Sequence, residues 1–361
     1  MPLTKALAGL SLEVPDSRPS SARSSAATPM LGKQESFDLS GTNTFSMDDL
    51  VIRDVGLNQK QADDGVAPPQ YCDLERQGSI GRGAFGRVLL MKHKFTGEQY
   101  ALKELNAVAD QQARRTAGNE LRIAQRHASG TQHLVGLLNA FFIDGKICIL
   151  MEYCDGGSLD DALRNAKSVT GLPLAEVFGQ LCLGMRYMHN EMKQVHRDLK
   201  PANVLLNSSG SVKLADFGIS KQLDATSAMA QTQVGSAAYM APERLHGDVY
   251  SFPSDVWSLG IILLEALLGE HPFPASRYKN FMALYTAISS GETPPPPDGT
   301  PGPAREFLGP CLLLEPAKRP RVDALLSSSW LESKRADSRQ AVLAWLMKAA
   351  ARRMADKIIA T

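Results

Sequence analysis

The sequence predicts an α+β protein with two lobes, a small N-terminal antiparallel sheet lobe with one helix and a larger, mainly helical C-terminal lobe. From about Cys72, short β-like segments such as "RVLLMKH" and "KICILMEY" are separated by turn signals, among them Asp144-Gly145. Beyond Ser158, apolar residues recur at helical spacing, as in "LAEVFGQLCLGMRYMHNE". Two such lobes leave a cleft between them, where ligands usually bind.

The predicted elements follow in order along residues 72–330. About five strands are predicted in the small lobe, residues 72–153, and the strand-poor stretch 106–126 predicts one helix between the third and fourth strands. The large lobe covers residues 154–330 and is dominated by helical periodicity. An alanine-rich helical extension is predicted over residues 331–361.

The N-terminal segment, residues 1–71, is predicted to be a largely disordered regulatory or docking tail. Ser, Ala, Pro, Gly and Asp dominate it, and neither strand nor helix periodicity is sustained. One patch, "TFSMDDLVIRDVGL", contains enough apolar residues to dock onto the folded part of the chain.

The composition is that of a globular chain of 361 residues with a formal net charge of +1. A nearly neutral chain favours neither nucleic acid nor an anionic membrane surface as a partner. The longest apolar run, "WSLGIILLEALLG", is too short to span a bilayer and contains Glu265, so we expect no membrane insertion. The five cysteines form no CxxC pair, which favours reduced thiols in the cytosol or nucleus, and a cytoplasmic location is expected.

The segment "IGRGAFGRV" places Gly81, Gly83 and Gly86 in a turn between two strands, where backbone N–H groups can approach a phosphate. A dinucleotide-binding turn has similar glycine spacing but leads into a helix, whereas the segment that follows here is β-like. Lys103 lies among apolar neighbours in the next strand, where its charge needs an anionic partner. Nucleotide phosphates and Glu120 are the candidates.

Two later segments concentrate charged and polar side chains. "VHRDLKPANVLL" supplies Asp198, Lys200 and Asn203, which together can orient a hydroxyl, screen a transferring phosphoryl group and hold a metal. "LADFGIS" places Asp216 after an apolar strand and before a glycine, a position suited to a hard-cation ligand.

Taken in order, these motifs resemble those of protein kinases, whose Gly-rich loop, Ala-x-Lys, His-Arg-Asp, Asp-Phe-Gly and Ala-Pro-Glu signatures all occur here. The resemblance covers about residues 72–330 and implies ATP and Mg²⁺ as cofactors. It implies that Lys103 holds ATP phosphates and pairs with Glu120, and that Asp198 accepts the proton of the substrate hydroxyl. Lys200 would neutralise the γ-phosphate. The implied metal ligands are Asn203 and Asp216.

The same resemblance implies an ATP pocket. Met151 would be its gatekeeper, and the three residues that follow would form the hinge. The residues implied to contact the nucleotide are Ile80, Gly81, Arg82, Gly83, Ala84, Phe85, Gly86, Val88, Ala101, Lys103, Glu120, Met151, Glu152, Tyr153, Cys154, Leu205 and Asp216. Two structural contacts are also implied: Asp255 would anchor the catalytic loop, and Glu243 would pair with Arg319.

The stretch "TSAMAQTQVGSAAYMAPERL" then occupies the place of an activation segment and is similar to that of MAP kinase kinases. This similarity implies a dual-specificity enzyme that phosphorylates Thr and Tyr in a MAP kinase and is activated by an upstream MAP kinase kinase kinase. Thr232 is the first expected phosphorylation site, followed by Thr226 and Ser227. Ser236 is excluded, because it stands where the family has a threonine that supports the catalytic loop.

Two alternatives stay open at this stage. The chain could be a serine/threonine kinase of a neighbouring branch, or a non-enzymatic scaffold with a kinase fold. The intact Lys103, Asp198 and Asp216 argue against the scaffold. The C-terminal helix likewise has two interpretations, packing of Trp345 and Leu346 on the large lobe or docking of an upstream kinase.

Overall fold

The computed structural model describes residues 37–40, 44–47, 50–57, 68–83, 86–106, 118, 121–122, 125, 130–166, 172–216, 237–332 and 339–345. All of these residues belong to one unit, Phe37–Thr361. Its strands are β1 Phe37–Ser40, β2 Thr44–Met47, β3 Leu50–Arg53, β4 Gly56–Leu57, β5 Leu74–Gly83, β6 Gly86–His93, β7 Gln99–Asn106, β8 Leu137–Ile143, β9 Lys146–Glu152, β10 Gly157–Ser158, β11 Val204–Leu206 and β12 Val212–Leu214.

Helices follow the strands of the small lobe, as the sequence predicts. They are α1 Leu159–Ala166, α2 Leu172–Asn190, α3 Pro242–Leu245, α4 Phe252–Leu268, α5 Phe281–Ser289, α6 Gly302–Cys311, α7 Val322–Leu326 and α8 Ser329–Glu332. Residues 339–345 are also helical, as are residues 118, 121, 122 and 125 within the helix predicted at 106–126, whereas Asn106 ends β7. None of the helices within the described ranges is long and apolar enough to cross a membrane.

The small lobe contains the predicted five-stranded antiparallel sheet, in the order β5-β6-β7-β9-β8. Its strands are apolar on both faces, and each face has its own buried cluster. Leu102 and Leu150 belong to one cluster, whereas Leu105 and Ile149 belong to the other. Because side chains alternate between faces along a strand, this pattern predicts a sheet covered on both sides.

The large lobe is built around α2 and α4, whose buried apolar residues form one core with α6 and α8. A Ser251–Ser254 capping box begins α4, and Gly269 ends it with a φ of +78°. Leucine, isoleucine and tryptophan occupy almost every turn of α4, so the helix is buried along nearly its whole length. A three-stranded sheet, β10-β11-β12, lies at the start of this lobe.

Four short strands lie within the N-terminal segment of residues 1–71. Strands β1 to β4 form a separate antiparallel sheet, and β3 and β4 lie against β8. Ile52 is fully buried in the cluster that contains Leu105 and Phe142. A Cβ at Gly56 would lie 2.8 Å from Oδ1 of Asn139 on β8. The expected docking of this patch is supported at β3 and β4, which lie against β8, with Ile52 buried there. The assignment of residues 1–71 as a largely disordered tail stays a prediction.

The helical residues 339–345 pack on the large lobe. Val342 is fully buried in its core, and Trp345 packs against the same cluster. The added Cβ of a non-glycine residue at Gly210 would lie 3.0 Å from the Arg339 carbonyl oxygen. These contacts support the packing interpretation of the C-terminal helix for Trp345, while Leu346 lies outside the described residues.

A chain that ends after Glu332 is expected to melt at a lower temperature than the full chain. The truncation removes Val342 and exposes the core residues that pack against it. The point variant Val342→Ala should lower the free energy of unfolding by about 2 kcal/mol. Ala344→Ser, at an exposed position of the same helix, is the control and should change it little. Unchanged thermal melting of both the truncated chain and Val342→Ala would contradict the packing role.

Candidate active site

The glycine-rich turn joins β5 to β6, so it leads from strand to strand. Gly83 pairs with Gly86 across the turn, and Gly81 pairs with Val88. A Cβ at Gly86 would lie 1.8 Å from the carbonyl oxygen of Glu104 on β7, so only glycine fits there. A dinucleotide-binding turn would continue into a helix, and the following strand excludes that arrangement.

One face of the small-lobe sheet carries several of the predicted nucleotide contacts. Val88 pairs with Lys103, which in turn pairs with Ile149, and Ala101 pairs with Met151. Directly paired residues project to the same face of a sheet, as do alternate residues on one strand. On this face the ammonium group of Lys103 is therefore buried among apolar side chains.

Lys103 forms an ion pair across the cleft with Asp216, which follows β12 in the large lobe. Its Nζ donates to Oδ1 of Asp216 at 2.7 Å. The Lys103 side chain is 8% exposed and that of Asp216 is 40% exposed. Desolvation by the surrounding protein would raise the pKa of Asp216, but the charge and hydrogen bond of Lys103 outweigh it and the pKa is lowered. The carboxylate is thus held in its charged form.

The predicted catalytic residues Asp198, Lys200 and Asn203 lie together in the loop before β11. Lys200 Nζ donates to Oδ2 of Asp198 at 2.8 Å. The Asn203 amide donates to the Asp198 carbonyl oxygen at 2.8 Å and to Oδ2 at 3.1 Å. Because the amide nitrogen faces Asp198, the amide oxygen of Asn203 faces away from it. The loop therefore holds one carboxylate, one ammonium and one outward amide oxygen.

Asp255, near the start of α4, anchors the backbone of this loop, as the sequence analysis expects. Its carboxylate accepts hydrogen bonds from the backbone N–H of His196 at 2.8 Å and of Arg197 at 3.1 Å. His189 Nε2 lies 2.8 Å from the same carboxylate. Arg197 has a φ of +71° and Asp216 a φ of +56°. Such backbone conformations cost about 1–3 kcal/mol each and persist where surrounding contacts impose them.

The predicted hinge, residues 152–154, begins at Glu152, the last residue of β9. Oε1 of Glu152 accepts a hydrogen bond from the backbone N–H of Gly136 at 2.6 Å and one from Lys213 Nζ at 2.8 Å. The Glu152 side chain thus connects the end of the small-lobe sheet to β12. Burial raises the pKa of the Cys154 thiol to about 12, so the thiol stays protonated.

The remaining predicted nucleotide contacts are distributed as follows. Tyr153 is partly buried, Leu205 of β11 packs against the large-lobe core, and Ile80 on β5 is exposed. Arg82 belongs to β5 as well. The predicted contacts Ala84, Phe85 and Glu120, and the predicted phosphorylation sites Thr226, Ser227 and Thr232, lie outside the described residues.

The predicted pair of Glu243 and Arg319 is present and buried. Arg319 donates from Nη1 and Nη2 to the two carboxylate oxygens of Glu243 at 2.7 and 2.8 Å. Burial would raise the pKa of Glu243, but the hydrogen bonds and charge of Arg319 outweigh it and the pKa is lowered. The pair joins α3 to the segment before α7, which keeps residues 237–241 in place beside the catalytic loop.

Arg319→Met is expected to lower the free energy of unfolding by about 3–5 kcal/mol, because it leaves the Glu243 carboxylate buried without its cation. The folded pKa of Glu243 would then lie above its ordinary value of 4.5 instead of below it. The destabilisation relative to wild type should therefore shrink as the pH is lowered from neutral to 4.5. Lys318→Met, which breaks the exposed pair with Glu315, is the control and should change melting little. Equal melting of Arg319→Met and this control would contradict the prediction.

A cluster of side chains beside the catalytic loop was not predicted from the sequence. The guanidinium carbon of Arg244 lies 3.4 Å from the ring centroid of Tyr250, and that of Arg197 lies 5.6 Å from the same ring. These side chains line a cleft together with Asp198 and residues 239–241. The sequence shows Arg244 directly after Ala-Pro-Glu, but it does not show that Arg244 and Arg197 lie beside the same tyrosine ring.

Comparisons with known proteins agree with this geometry. The family model described as Protein kinase domain matches residues 74–331. Mitogen-activated protein kinase kinase 1 of Arabidopsis thaliana is 35% identical over 318 residues, which cover 84% of this chain and 89% of that protein. Mitogen-activated protein kinase kinase SIPKK of Nicotiana tabacum is 37% identical over 273 residues, which cover 73% of this chain and 76% of that protein.

An animal relative has a comparable similarity. Dual specificity mitogen-activated protein kinase kinase dSOR1 of Drosophila melanogaster is 34% identical over 283 residues, covering 72% of this chain and 70% of that protein. The expectation drawn from the sequence motifs is therefore confirmed: the chain is a protein kinase and belongs to the MAP kinase kinase family.

Proposed function

We propose that this protein is an ATP- and Mg²⁺-dependent dual-specificity kinase that phosphorylates Thr and Tyr in the activation loop of a MAP kinase. The observation that carries the proposal is the assembly of Asp198, Lys200 and Asn203 in one loop, together with the pair of Lys103 and Asp216, the latter just after β12. The names of the relatives supply the substrate class, and one of them is itself named a dual specificity enzyme.

The residues of the small-lobe face fit ATP. Val88, Ala101 and Met151 supply an apolar surface for the adenine ring, and Lys103 on the same face supplies a cation for the phosphates. The Lys103 ammonium is buried, so an anionic group beside it is favoured. Substitution of Lys103 would therefore weaken both nucleotide binding and the link to Asp216.

The oxygen atoms of Asp216 and Asn203 fit a magnesium ion, which prefers carboxylate and amide oxygen ligands. The Asp216 carboxylate is charged and partly exposed to the cleft. The outward amide oxygen of Asn203 is held by the two bonds that its nitrogen donates to Asp198. When bound, the metal would neutralise charge on the phosphates of ATP.

The protein's own groups divide the work of phosphoryl transfer. Asp198 orients the acceptor hydroxyl and accepts its proton, and Lys200 screens the negative charge beside it. Asp255 holds the backbone of His196 and Arg197, so the carboxylate of Asp198 is presented in one orientation. Such positioning supplies most of the catalytic effect in phosphoryl transfer.

We further propose a cytoplasmic location, activation by an upstream MAP kinase kinase kinase and the domain limits 1–71, 72–330 and 331–361, with strands β1 to β4 inside the first segment. The near-neutral charge supports the absence of nucleic acid among the partners.

The function is tested by incubating the purified protein with catalytically inactive MAP kinases of its host and mapping phosphorylated residues by mass spectrometry. Phosphorylation of both Thr and Tyr in one activation loop is expected, with Asp198→Ala as the inactive control. Phosphorylation of Ser and Thr alone would favour a plain serine/threonine kinase, and no transfer to any protein would favour a scaffold.

Thr232→Ala is expected to block activation by the upstream kinase while ATP binding persists. A phosphate at this position would carry about −1.5 to −2 charge, enough to order a segment through charge-assisted hydrogen bonds. Acidic replacement of Thr226 and Thr232 should raise the basal activity in part. Ser227→Ala is the matched control and should be activated almost normally. Full activation of Thr232→Ala would show that the switch lies elsewhere.

A further inference from the structure

We propose that Ile52 is a positioning residue for phosphoryl transfer, because it packs the N-terminal strap, residues 50–57, onto the apolar cluster that borders Lys103. The strap consists of β3, β4 and the turn between them. The inference rests on the proposed function. It adds to the residues that act in the reaction one that lies outside the matched kinase domain, residues 74–331.

The strap has a defined contact with the small lobe. Strands β3 and β4 lie against β8, and the Ile52 side chain is fully buried. Gly56 has a φ of +117°, and a Cβ there would lie 2.8 Å from Oδ1 of Asn139 on β8. Asn139 is itself buried, and its Nδ2 donates to the carbonyl oxygen of Pro69 at 3.0 Å. The strap and the segment that leads into the kinase domain are thus fixed at the same strand.

The cluster that buries Ile52 lies on the face of the sheet that carries Lys103. Leu105 and Ile149 belong to this cluster, and Met151 packs against it. Ile149 is paired with Lys103 across β7 and β9, and Leu105 is the next residue of β7 on the same face. The cluster that contains Ile52 therefore borders the buried side chain of Lys103.

The same cluster includes a helical residue from the segment between β7 and β8. Leu121 is helical and fully buried in the cluster of Ile52. Glu120, the predicted partner of Lys103, directly precedes Leu121 in the sequence. Truncation of Ile52 would leave a cavity in the cluster, and core side chains relax only partly into such a space. Ile52 therefore restrains the surroundings of both members of the predicted pair.

Catalysis depends more strongly than nucleotide binding on this restraint. In the proposed mechanism the adenine ring lies on Val88, Ala101 and Met151. Lys103 holds the phosphates instead, so a loosened Lys103 leaves the contacts of the ring in place but misaligns the phosphates. A misplacement of about 1 Å can cost 10²-fold in rate. Loss of the Ile52 side chain should therefore lower kcat more than the affinity for ATP.

The test measures kcat and ATP affinity of full-length variants with a catalytically inactive MAP kinase of the host as substrate. All assays are run well below the melting temperature of every variant. Ile52→Ala is expected to lower kcat about tenfold and to change the ATP affinity less than about threefold. Ile52→Val fills most of the site and should retain most of the rate. Gly56→Ala displaces the strap through a different contact and should also lower kcat.

Three controls separate positioning from a loss of stability. Val55→Ala, at an exposed position of the strap, should behave as wild type. Val342→Ala truncates an equally buried aliphatic side chain in the large lobe, so it should lower the melting temperature but keep the wild-type kcat. In a double-mutant cycle, Ile52→Ala should cause little further loss of rate in a Glu120→Gln background, because both changes disturb the same arrangement.

Several results would overturn the inference and leave the proposed function standing. Wild-type kcat in Ile52→Ala would do so, and so would an increased kcat, which would mean that the strap restrains the kinase. Equal losses of kcat in Ile52→Ala and Val342→Ala would assign the effect to stability alone. Losses at Ile52 and Glu120 that simply multiply would show that the two residues act independently. If wild type phosphorylates no MAP kinase, the proposed function fails, and the inference fails with it.

Discussion

Replacing Asp198 with alanine is expected to lower kcat by about 10³-fold or more while ATP binding persists, because a positioned general base contributes up to roughly 10⁴-fold. The carboxylate lies 2.8 Å from Lys200 Nζ and accepts a bond from Asn203, so it is held in one orientation. The carboxylate of Asp198 accepts bonds from Lys200 and Asn203, whereas Lys103 donates to Asp216, so nucleotide binding should be spared.

The measurement compares single-turnover phosphoryl transfer with ATP affinity determined by calorimetry. Asp298→Ala, at an exposed position far from this loop in the sequence, is the control and should retain wild-type rates. Asp198→Asn keeps the shape of the side chain and should be almost as slow as the alanine variant, because the amide cannot accept the proton. Near-normal turnover of either Asp198 variant would contradict the proposed mechanism.

Replacing Asp216 with alanine is expected to abolish productive nucleotide binding, with a loss of activity as large as that at Asp198. The change removes a charged oxygen ligand from the metal site and the partner that Lys103 Nζ contacts at 2.7 Å. The wild-type affinity for ATP should rise when Mg²⁺ is added, and in Asp216→Ala that rise should be largely lost.

Asp198→Ala serves as the matched control for this experiment. It should retain the Mg²⁺ dependence of ATP binding although it is equally inactive, since Asp198 is paired with Lys200 and not with Lys103. If the ATP affinity of Asp216→Ala rises with Mg²⁺ as much as that of wild type, Asp216 is not a ligand of the metal.

Much of the fold was predictable because it depends on local patterns. Alternating apolar residues and the Asp144-Gly145 turn predict the sheet. The glycine-rich turn leads from one strand to the next, which distinguishes this lobe from a dinucleotide-binding unit. The N-terminal strands were not predictable in the same way. Strands β3 and β4 lie against β8, where Ile52 is buried, and that contact depends on a strand far away in the sequence.

The sequence by itself determined the family, the order of the two lobes and the identity of the residues expected to perform the chemistry. Those properties depend on residue type and spacing along the chain. Only the tertiary structure decided that Lys103 pairs with Asp216, 113 residues away. The pair of Arg319 and Glu243, 76 residues apart, was implied by the resemblance, and the structure shows it. It also placed Arg197 and Arg244 on the same face of the molecule, around Tyr250. Partners this distant are selected by packing of the whole chain, and the energy of a charge depends on the burial and neighbours that packing creates.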